Sequence, residues 1–182
     1  ASDVYKRQGD LITYQLEDKE NYIMVSLMVQ EIHKKKYDYD INSVLEIREN
    51  WAPGMITSFI RVEGRPVGVV ANNPGHLSGA IDSPAADKGS RFIQLCDAFD
   101  IPVLSLIDCP GIMVGPESEK SALVRHAARM FVVGANIETP LMSVVIRKAY
   151  GLGAQAMAGG SFNVPLITVP WPTGEFGGMG LE

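Results

Sequence analysis

Two short apolar runs constrain the fold of this chain more than any other feature. Residues 101–108 (IPVLSLID) and 141–147 (LMSVVIR) are apolar at most positions and do not alternate with polar residues. Strands buried on both faces have this pattern, which is typical of parallel sheets covered by helices. A third run, residues 164–169 (VPLITV), also indicates a strand. We therefore expect a sheet that is parallel in its central part.

Two segments with helical periodicity lie near these strands. Residues 83–99 begin with Ser83, which suits the N-cap, and Pro84, which suits the first helical position. Apolar residues then recur at helical spacing, and residues 117–134 carry a second apolar face of this kind. Strands that alternate with helices predict an α/β fold with crossover connections.

The N-terminal part of the chain contains further strand candidates. Residues 43–47, 55–62 and 67–72 have strand composition, and the turn at Glu63 and Gly64 predicts that the last two form a hairpin. Residues 23–32 (IMVSLMVQEI) are long enough to favour a helix over a strand. The order of elements suggests repeated ββα or βα units.

Composition excludes several classes of protein. The 182 residues, of which 46% are hydrophobic, can bury one substantial core. A formal charge of −5 argues against a nucleic-acid-binding protein. The two cysteines match neither a disulfide framework nor a zinc site and fit a reducing cytoplasm. Because no run approaches the roughly 20 apolar residues that a membrane span needs, we expect a cytoplasmic protein without membrane contact.

Three predicted strand ends carry glycine-bearing loops. They are residues 71–80 (ANNPGHLSGA), 108–116 (DCPGIMVGP) and 148–154 (KAYGLGA). Ligands of α/β proteins bind at such ends, because the loops expose backbone donors and the next helix presents its positive dipole end. The sequence therefore predicts a binding or catalytic site where these three loops meet.

The third loop allows three interpretations. Gly151, Gly153 and Ala156 match a loose form of the dinucleotide-binding fingerprint, but the long helix which that motif requires does not follow. The N–H groups of Gly153 and Ala154 could form an oxyanion hole for an oxygen that becomes negative during a reaction. A tight structural turn would use the same glycines. The local sequence does not decide between the oxyanion hole and the structural turn.

Other reactive side chains do not form an evident catalytic set. His76 and His126 have no carboxylate at metal-ligand spacing, so we expect no metal site. The neighbouring Asp108 should raise the pKa of the Cys109 thiol, which argues against a nucleophile. We expect Asp108 to cap its own loop through the backbone. The lack of an acid or base favours chemistry in which the substrates carry the reactive groups.

Several motifs, in this order, resemble the carboxyltransferase (β) subunit of biotin-dependent acyl-CoA carboxylases of the propionyl-, acetyl- or methylcrotonyl-CoA type. The motifs are residues 64–74 (GRPVGVVANNP), 90–99 (SRFIQLCDAF), 101–111 (IPVLSLIDCPG) and 147–154 (RKAYGLGA). The resemblance is to the C-terminal of two crotonase-like domains. It implies a crotonase (ClpP-like) fold of ββα units over residues 39–182. Residues 1–38 would be a poorly defined segment or a remnant of the preceding domain.

The resemblance also implies an activity and its site. A carboxyl group would pass from carboxybiotin on a carrier protein to the α-carbon of an acyl-CoA, while Gly153 and Ala154 stabilise the ureido oxygen of biotin. The biotin-side loop would contain Asp108, Pro110, Gly111 and Ile112. Ala156 is the candidate for the acyl pocket, where its small side chain could leave room for a longer or branched chain.

Three positions depart from the family pattern, and one of them is Ala156, which stands where some short-chain carboxylases carry an acidic or a branched residue. The resemblance leaves part of the function open. Ile112 and Leu152 stand where many relatives have phenylalanine and a second glycine. The implied partners are biotin carboxylase, the biotin carboxyl carrier and further copies of the chain, with the site completed across a dimer interface. A biotin-dependent decarboxylase of malonyl-type CoA esters and a noncatalytic assembly domain are the alternatives. The acyl group and the direction of transfer are not determined.

Overall fold

The structure, a computed structural model, describes residues 43–178. The helix expected at residues 23–32 and the segment 1–38 lie outside the described residues. The expected domain boundary near residue 39 therefore stays a prediction.

Within the described residues, one sheet of seven strands has the order β1-β2-β3-β4-β5-β6, and β7 pairs with β5 beyond this path. The strands are β1 Leu45–Glu46, β2 Met55–Val62, β3 Arg65–Asn72, β4 Val103–Cys109, β5 Leu141–Tyr150, β6 Ile167–Pro170 and β7 Glu175–Gly177. The first three strands are antiparallel, whereas β3 to β6 are parallel. The parallel sheet and the hairpin at Glu63 and Gly64 are confirmed.

In the part of the chain that the structure describes, four α-helices and one short 3-10 helix connect the strands. They are α1 Ser83–Ala98, α2 Pro116–Lys120, α3 Leu123–Asn136, α4 Gly151–Met157 and the 3-10 helix Leu77–Gly79. Within residues 43–178, no helix has the length and apolarity needed to cross a bilayer.

Both faces of the central strands are buried, which explains their continuous apolar composition. Ile107 belongs to a core cluster with Phe92 of α1 and Met130 of α3. The adjacent Leu106 belongs to a second cluster on the other face, together with Ile146. Successive side chains of a strand point to opposite faces, so neither face of β4 required polar residues.

The expected helix over residues 117–134 is wrong as a single helix. It is divided between α2 and α3, and Ala122 between them has a left-handed backbone with φ 56°. The Ser121 hydroxyl donates to the Ser118 carbonyl at 2.6 Å, a local bond that competes with helix continuation. It also lies 2.6 Å from the Ser83 hydroxyl at the start of α1.

The N-cap of α1 is Asp82, one residue before the predicted Ser83. Its Oδ1 accepts a hydrogen bond from the N–H of Ala85 at 2.9 Å, so the carboxylate satisfies one of the free donors of the first turn. Several strand ends also differ from prediction. The strand expected at residues 43–47 is limited to Leu45–Glu46, and the strand expected at 141–147 continues to Tyr150.

Candidate functional site

The three glycine-bearing loops meet at one edge of the sheet, as the sequence predicts. The Ile81 N–H donates to the Gly111 carbonyl at 3.0 Å, and the Ile81 carbonyl accepts from Met113 at 2.9 Å. The Lys148 ammonium group donates to the Ser78 carbonyl at 3.0 Å. These contacts link the first loop to both of the others, so the carboxyl ends of β3, β4 and β5 form a single candidate site.

Asp108 is held by β5 and not by its own loop. Its buried carboxylate accepts from Arg147 Nη2 at 2.9 Å, from Arg147 Nε at 3.2 and 3.3 Å, and from the Lys148 N–H at 3.3 Å. The expectation that Asp108 caps its own loop is wrong. A carboxylate that loses water on burial needs a charged, hydrogen-bonding partner, and Arg147 on the adjacent strand provides it. With these partners the carboxylate is a structural group of the site.

Asn72 connects the first two loops and was missed by the sequence analysis. Its side chain accepts from the Asp108 N–H at 3.3 Å and donates to the Gly79 carbonyl at 3.1 Å. A Cβ at Gly79 would lie 2.2 Å from the Asp108 carbonyl oxygen, and Gly79 has φ +90°. Only glycine fits this close approach. The signal that the sequence offered was an asparagine directly after the apolar run of β3.

Cys109 is buried beneath the second loop. Its thiol donates to the Gly111 carbonyl at 3.3 Å. Burial, with a smaller contribution from the charge of Asp108, raises the pKa of the Cys109 thiol to about 12. The predicted rise is confirmed, although burial is its largest cause. The thiolate needed for nucleophilic attack is therefore absent near neutral pH.

The loop that contains Pro110, Gly111 and Ile112 is half-buried and packs closely on α4. Gly111 has φ +143°, and Ile112 bridges to Ile81. A Cβ on Gly153 would lie 2.5 Å from the Gly111 carbonyl carbon and 2.7 Å from the Cys109 sulfur. Gly153 is thus required by this contact, whatever its role in binding.

The start of α4 presents backbone donors to the same edge of the sheet. Tyr150 is the N-cap and Gly151 the first helical residue, so the N–H groups of Gly151, Leu152 and Gly153 have no α-helical acceptor. The N–H of Ala154 is the first that can bond to the Tyr150 carbonyl. Gly153 therefore offers a free donor by helix geometry, whereas the N–H of its predicted companion Ala154 is in competition with the helix.

The segment after β6 supports the start of α4. The Tyr150 hydroxyl donates to Glu175 Oε2 at 2.6 Å, and β7 pairs with the last residues of β5. The hydrogen bond to the Glu175 carboxylate raises the pKa of Tyr150. Sequence reasoning missed this contact, because 25 residues separate the two side chains.

An apolar groove of about 590 Å³ opens beside the loops. Its lining comprises Ile112, Met113, Val114, Glu119, Leu123, Val124, Ala127, Ala128, Phe131 and Leu152. Ala156, the predicted acyl-pocket residue, does not line this groove and is fully buried in the core. Leu152, noted in the sequence only as a departure, forms one of its walls.

His76 and His126 make contacts that are typical of structural residues. His126 Nδ1 lies 2.9 Å from Asp87 Oδ2, and the other Asp87 oxygen accepts from Arg129 at 2.6 Å, which joins α1 to α3. His76 Nε2 lies 3.5 Å from Asp82 Oδ2. Across residues 43–178, no group of three or more histidine, cysteine, aspartate or glutamate side chains could hold a metal ion.

Comparison with known proteins gives consistent matches. A family model described as "Carboxyl transferase domain" matches residues 2–182. The propionyl-CoA carboxylase beta chain of Saccharopolyspora erythraea is 41% identical over 143 residues, which cover 79% of this chain and 26% of the relative. The chain spans between a quarter and a third of the length of the curated relatives that it matches.

Two solved structures share the fold. One is a single-chain, multi-domain long-chain acyl-CoA carboxylase, with a TM-score of 0.76 and 56% identity over 77% of this chain and 14% of that one. The other is the hexameric transcarboxylase 12S with methylmalonyl-CoA bound, with a TM-score of 0.76 and 36% identity over 84% of this chain and 29% of that one. Carboxyltransferases with these structures have the crotonase-like fold, and the predicted fold class is confirmed.

Proposed function

Because the chain belongs to the carboxyl transferase domain family, we propose that it forms the biotin-side half of a carboxyl transfer site for acyl-CoA substrates. The observation that carries the proposal is the meeting of three strand-end loops around the start of α4. Relatives with similar sequences are named propionyl-CoA carboxylase and methylmalonyl-CoA carboxyltransferase. Both names describe the transfer of a carboxyl group to or from an acyl-CoA.

The residues at this edge fit a carboxybiotin group. Gly153 packs directly on Gly111, where a Cβ would lie 2.5 Å from the carbonyl carbon, and its N–H lies in the first turn of α4 without an α-helical acceptor. When bound, carboxybiotin would supply the carboxyl group. We propose that Gly153 donates its N–H to the ureido oxygen and that the second donor is Ala154, as the family resemblance implies, or Leu152, which helix geometry favours. Oriented N–H donors of this kind lower a barrier by roughly 3 kcal/mol each.

The loop residues keep these donors in place. Asp108, Pro110, Gly111 and Ile112 form the wall opposite α4, and the ion pair between Asp108 and Arg147 joins that wall to β5. In this arrangement the protein contributes position and N–H donors. Cys109 contributes packing, since burial keeps its thiol protonated.

We propose that further parts of a longer polypeptide complete the site. The thioester side would come from a second crotonase-like domain, across the interface between two copies in a homo-oligomer. One structural relative is described as a hexamer that binds substrate in a multienzyme core, which supports assembly of this kind. Biotin carboxylase and the biotin carboxyl carrier would be the other partners. Ala156 would act on the acyl pocket indirectly, by packing α4 against the core.

A transfer assay tests the proposal. A full-length protein that carries this chain should decarboxylate malonyl-CoA or methylmalonyl-CoA when free biotin accepts the carboxyl group, whereas the 182-residue chain alone should not. Gly153→Pro, which removes one donor N–H, should abolish transfer in the full-length protein. Absence of transfer with every acyl-CoA in a panel would refute the proposal. Full activity of the Gly153→Pro variant would contradict a catalytic role for this N–H and would favour a noncatalytic assembly role for this domain.

A further inference from the structure

We infer that the apolar groove beside the candidate site receives the hydrocarbon chain of a long-chain acyl-CoA. The inference rests on the proposed function, because it assigns the acyl group that the transfer reaction uses. It differs from the sequence-based expectation, which assigned acyl specificity to Ala156. Ala156 is fully buried on the core-facing side of α4, whereas the groove is open to solvent at Val124 and Leu152.

The position of the groove connects it to the reaction. Its wall includes Ile112, which follows Gly111, and Leu152, which precedes Gly153. Gly111 and Gly153 belong to the two sides of the proposed biotin site, so the groove begins at both sides of that site. An acyl-CoA that reacts beside Gly153 would therefore have its acyl chain next to the mouth of the groove.

The chemistry of the lining selects for hydrocarbon. Of the ten residues that line the groove, nine are apolar, and the exception is Glu119. Phosphate or carboxylate groups would meet the negative charge of Glu119 and would find no cationic side chain in the lining. A hydrocarbon chain needs no hydrogen-bond partner there, and each methylene transferred from water should improve binding about fourfold.

Small residues on α3 create the space. Ala127 and Ala128 lie between Val124 and Phe131 on the helix face that borders the groove. The volume of about 590 Å³ lies within the usual size range of sites for organic ligands. A large side chain at Ala128, which is exposed, would fill this space without entering the core.

A chain-length series tests the inference in the full-length protein. Carboxyl transfer from carboxybiotin to acetyl-, propionyl-, octanoyl- and palmitoyl-CoA would be compared in the parent protein, Ala128→Trp and Val132→Trp. Val132 is exposed on the same helix but does not line the groove, so it is the matched control. We expect kcat/KM to increase with chain length in the parent. Ala128→Trp should lower the palmitoyl-CoA value about 50-fold, equivalent to blocking about three methylenes, and change the propionyl-CoA value less than about twofold.

A second variant covers the case in which Ala128→Trp does not fold. Val124→Thr keeps the side-chain shape and replaces one methyl group with a hydroxyl, and it should lower the palmitoyl-CoA value about fivefold while leaving the propionyl-CoA value unchanged. Equal losses for short and long chains would overturn the inference. Transfer to propionyl-CoA without transfer to palmitoyl-CoA would also overturn it. A lower oligomer mass of Ala128→Trp would identify the groove as a subunit contact and would overturn it as well. No transfer at any chain length would refute the proposed function itself.

Discussion

Arg147 and Asp108 form an ion pair across the carboxyl ends of two neighbouring parallel strands, with Nη2 and Oδ2 2.9 Å apart. The Asp108 side chain is 4% exposed and the Arg147 side chain 44% exposed, so the carboxylate depends on this partner more than the guanidinium does. The loop of Gly111 follows β4, which ends one residue after Asp108, and α4 begins four residues after Arg147. The pair thus adds a side-chain link between the strand ends from which the two walls of the candidate site extend, beside the backbone pairing of β4 and β5.

Removal of the guanidinium should be costly. Arg147→Gln leaves the buried Asp108 carboxylate without its counter-charge, and we expect the free energy of unfolding to fall by about 2–4 kcal/mol. The value is below that of a fully buried pair because Arg147 is partly in water. Urea-induced unfolding measures the loss, and Arg147→Lys should lose less because it keeps the charge.

The exposed pair of Lys120 and Glu117 on α2 provides the matched control for this measurement. Lys120→Gln also removes one cation from an ion pair, but the side chains of Lys120 and Glu117 are both exposed to water. The free energy of unfolding should therefore change by less than about 0.5 kcal/mol. Equal losses for Arg147→Gln and Lys120→Gln would show that the Asp108 pair is not the constraint inferred from its burial.

Local patterns predicted much of the fold. The apolar runs that became β4 and β5 have no polar face, since helices pack on one side of them and their other side forms a second apolar cluster with β2 and β3. The hairpin followed from Glu63 and Gly64, whose positive φ values suit a two-residue turn. The meeting of the three loops also followed, because parallel strands end at the same edge of a sheet.

Contacts between distant residues were not predictable in this way. Arg147 and Asp108 are 39 residues apart, and neither the spacing nor the residue types distinguish this pair from other charged pairs. The break before α3 depends on Ser121, whose hydroxyl finds a partner in Ser83 only after α1 has packed nearby. The groove likewise arises from the relative placement of α3 and α4, which periodicity does not determine.

Gly153→Ala should destabilise the site even without any ligand. The added Cβ would lie 2.5 Å from the backbone of Gly111 and 2.7 Å from the Cys109 sulfur, so we expect the free energy of unfolding to fall by about 1–3 kcal/mol. Cys109→Ala in the same chain should restore only part of the loss, because the Gly111 backbone contact remains. Urea-induced unfolding of the single and double variants measures both effects.

Gly178 gives a control for the Gly153 substitution, since a Cβ there meets nothing within 4 Å. Gly178→Ala should change stability by less than about 0.5 kcal/mol. Full recovery in the variant with both Gly153→Ala and Cys109→Ala would contradict the close packing of Gly153 on Gly111.

The two free thiols should be unreactive in the folded protein. Burial raises the pKa of Cys96 and of Cys109 to about 12, so neither forms an appreciable thiolate at pH 8. A thiol-specific disulfide reagent at pH 8 should label neither cysteine in buffer and both in concentrated urea. Rapid labelling of Cys109 in the native protein would contradict its burial under the second loop.

The same shifts predict a direction for stability at alkaline pH. A thiol whose pKa is higher in the folded than in the unfolded state holds its proton better when folded, so stability is lost as pH rises above the unfolded value near 9 towards 12. The parent protein should therefore lose stability faster than Cys109→Ala between pH 9 and 11. Parallel curves for the two proteins would show that the Cys109 pKa is not raised by folding.

The hydrogen bond from Tyr150 to Glu175 should hold the start of α4. Tyr150→Phe removes the donor but keeps the buried ring, and we expect the hydrogen-bonded amide protons of residues 154–157 to exchange faster with solvent by about tenfold, since a bond to a charged group contributes about 1.5 kcal/mol or more. Glu175→Gln keeps an acceptor and should have a smaller effect.

Thr173→Val is the control, because it removes a hydrogen bond of the same segment that lies away from α4. This bond runs from Thr173 Oγ1 to the Ile146 carbonyl at 2.8 Å. Hydrogen exchange monitored by mass spectrometry separates these cases. If Thr173→Val accelerates exchange at residues 154–157 as much as Tyr150→Phe does, the segment acts as a whole and Tyr150 has no particular role in positioning the helix.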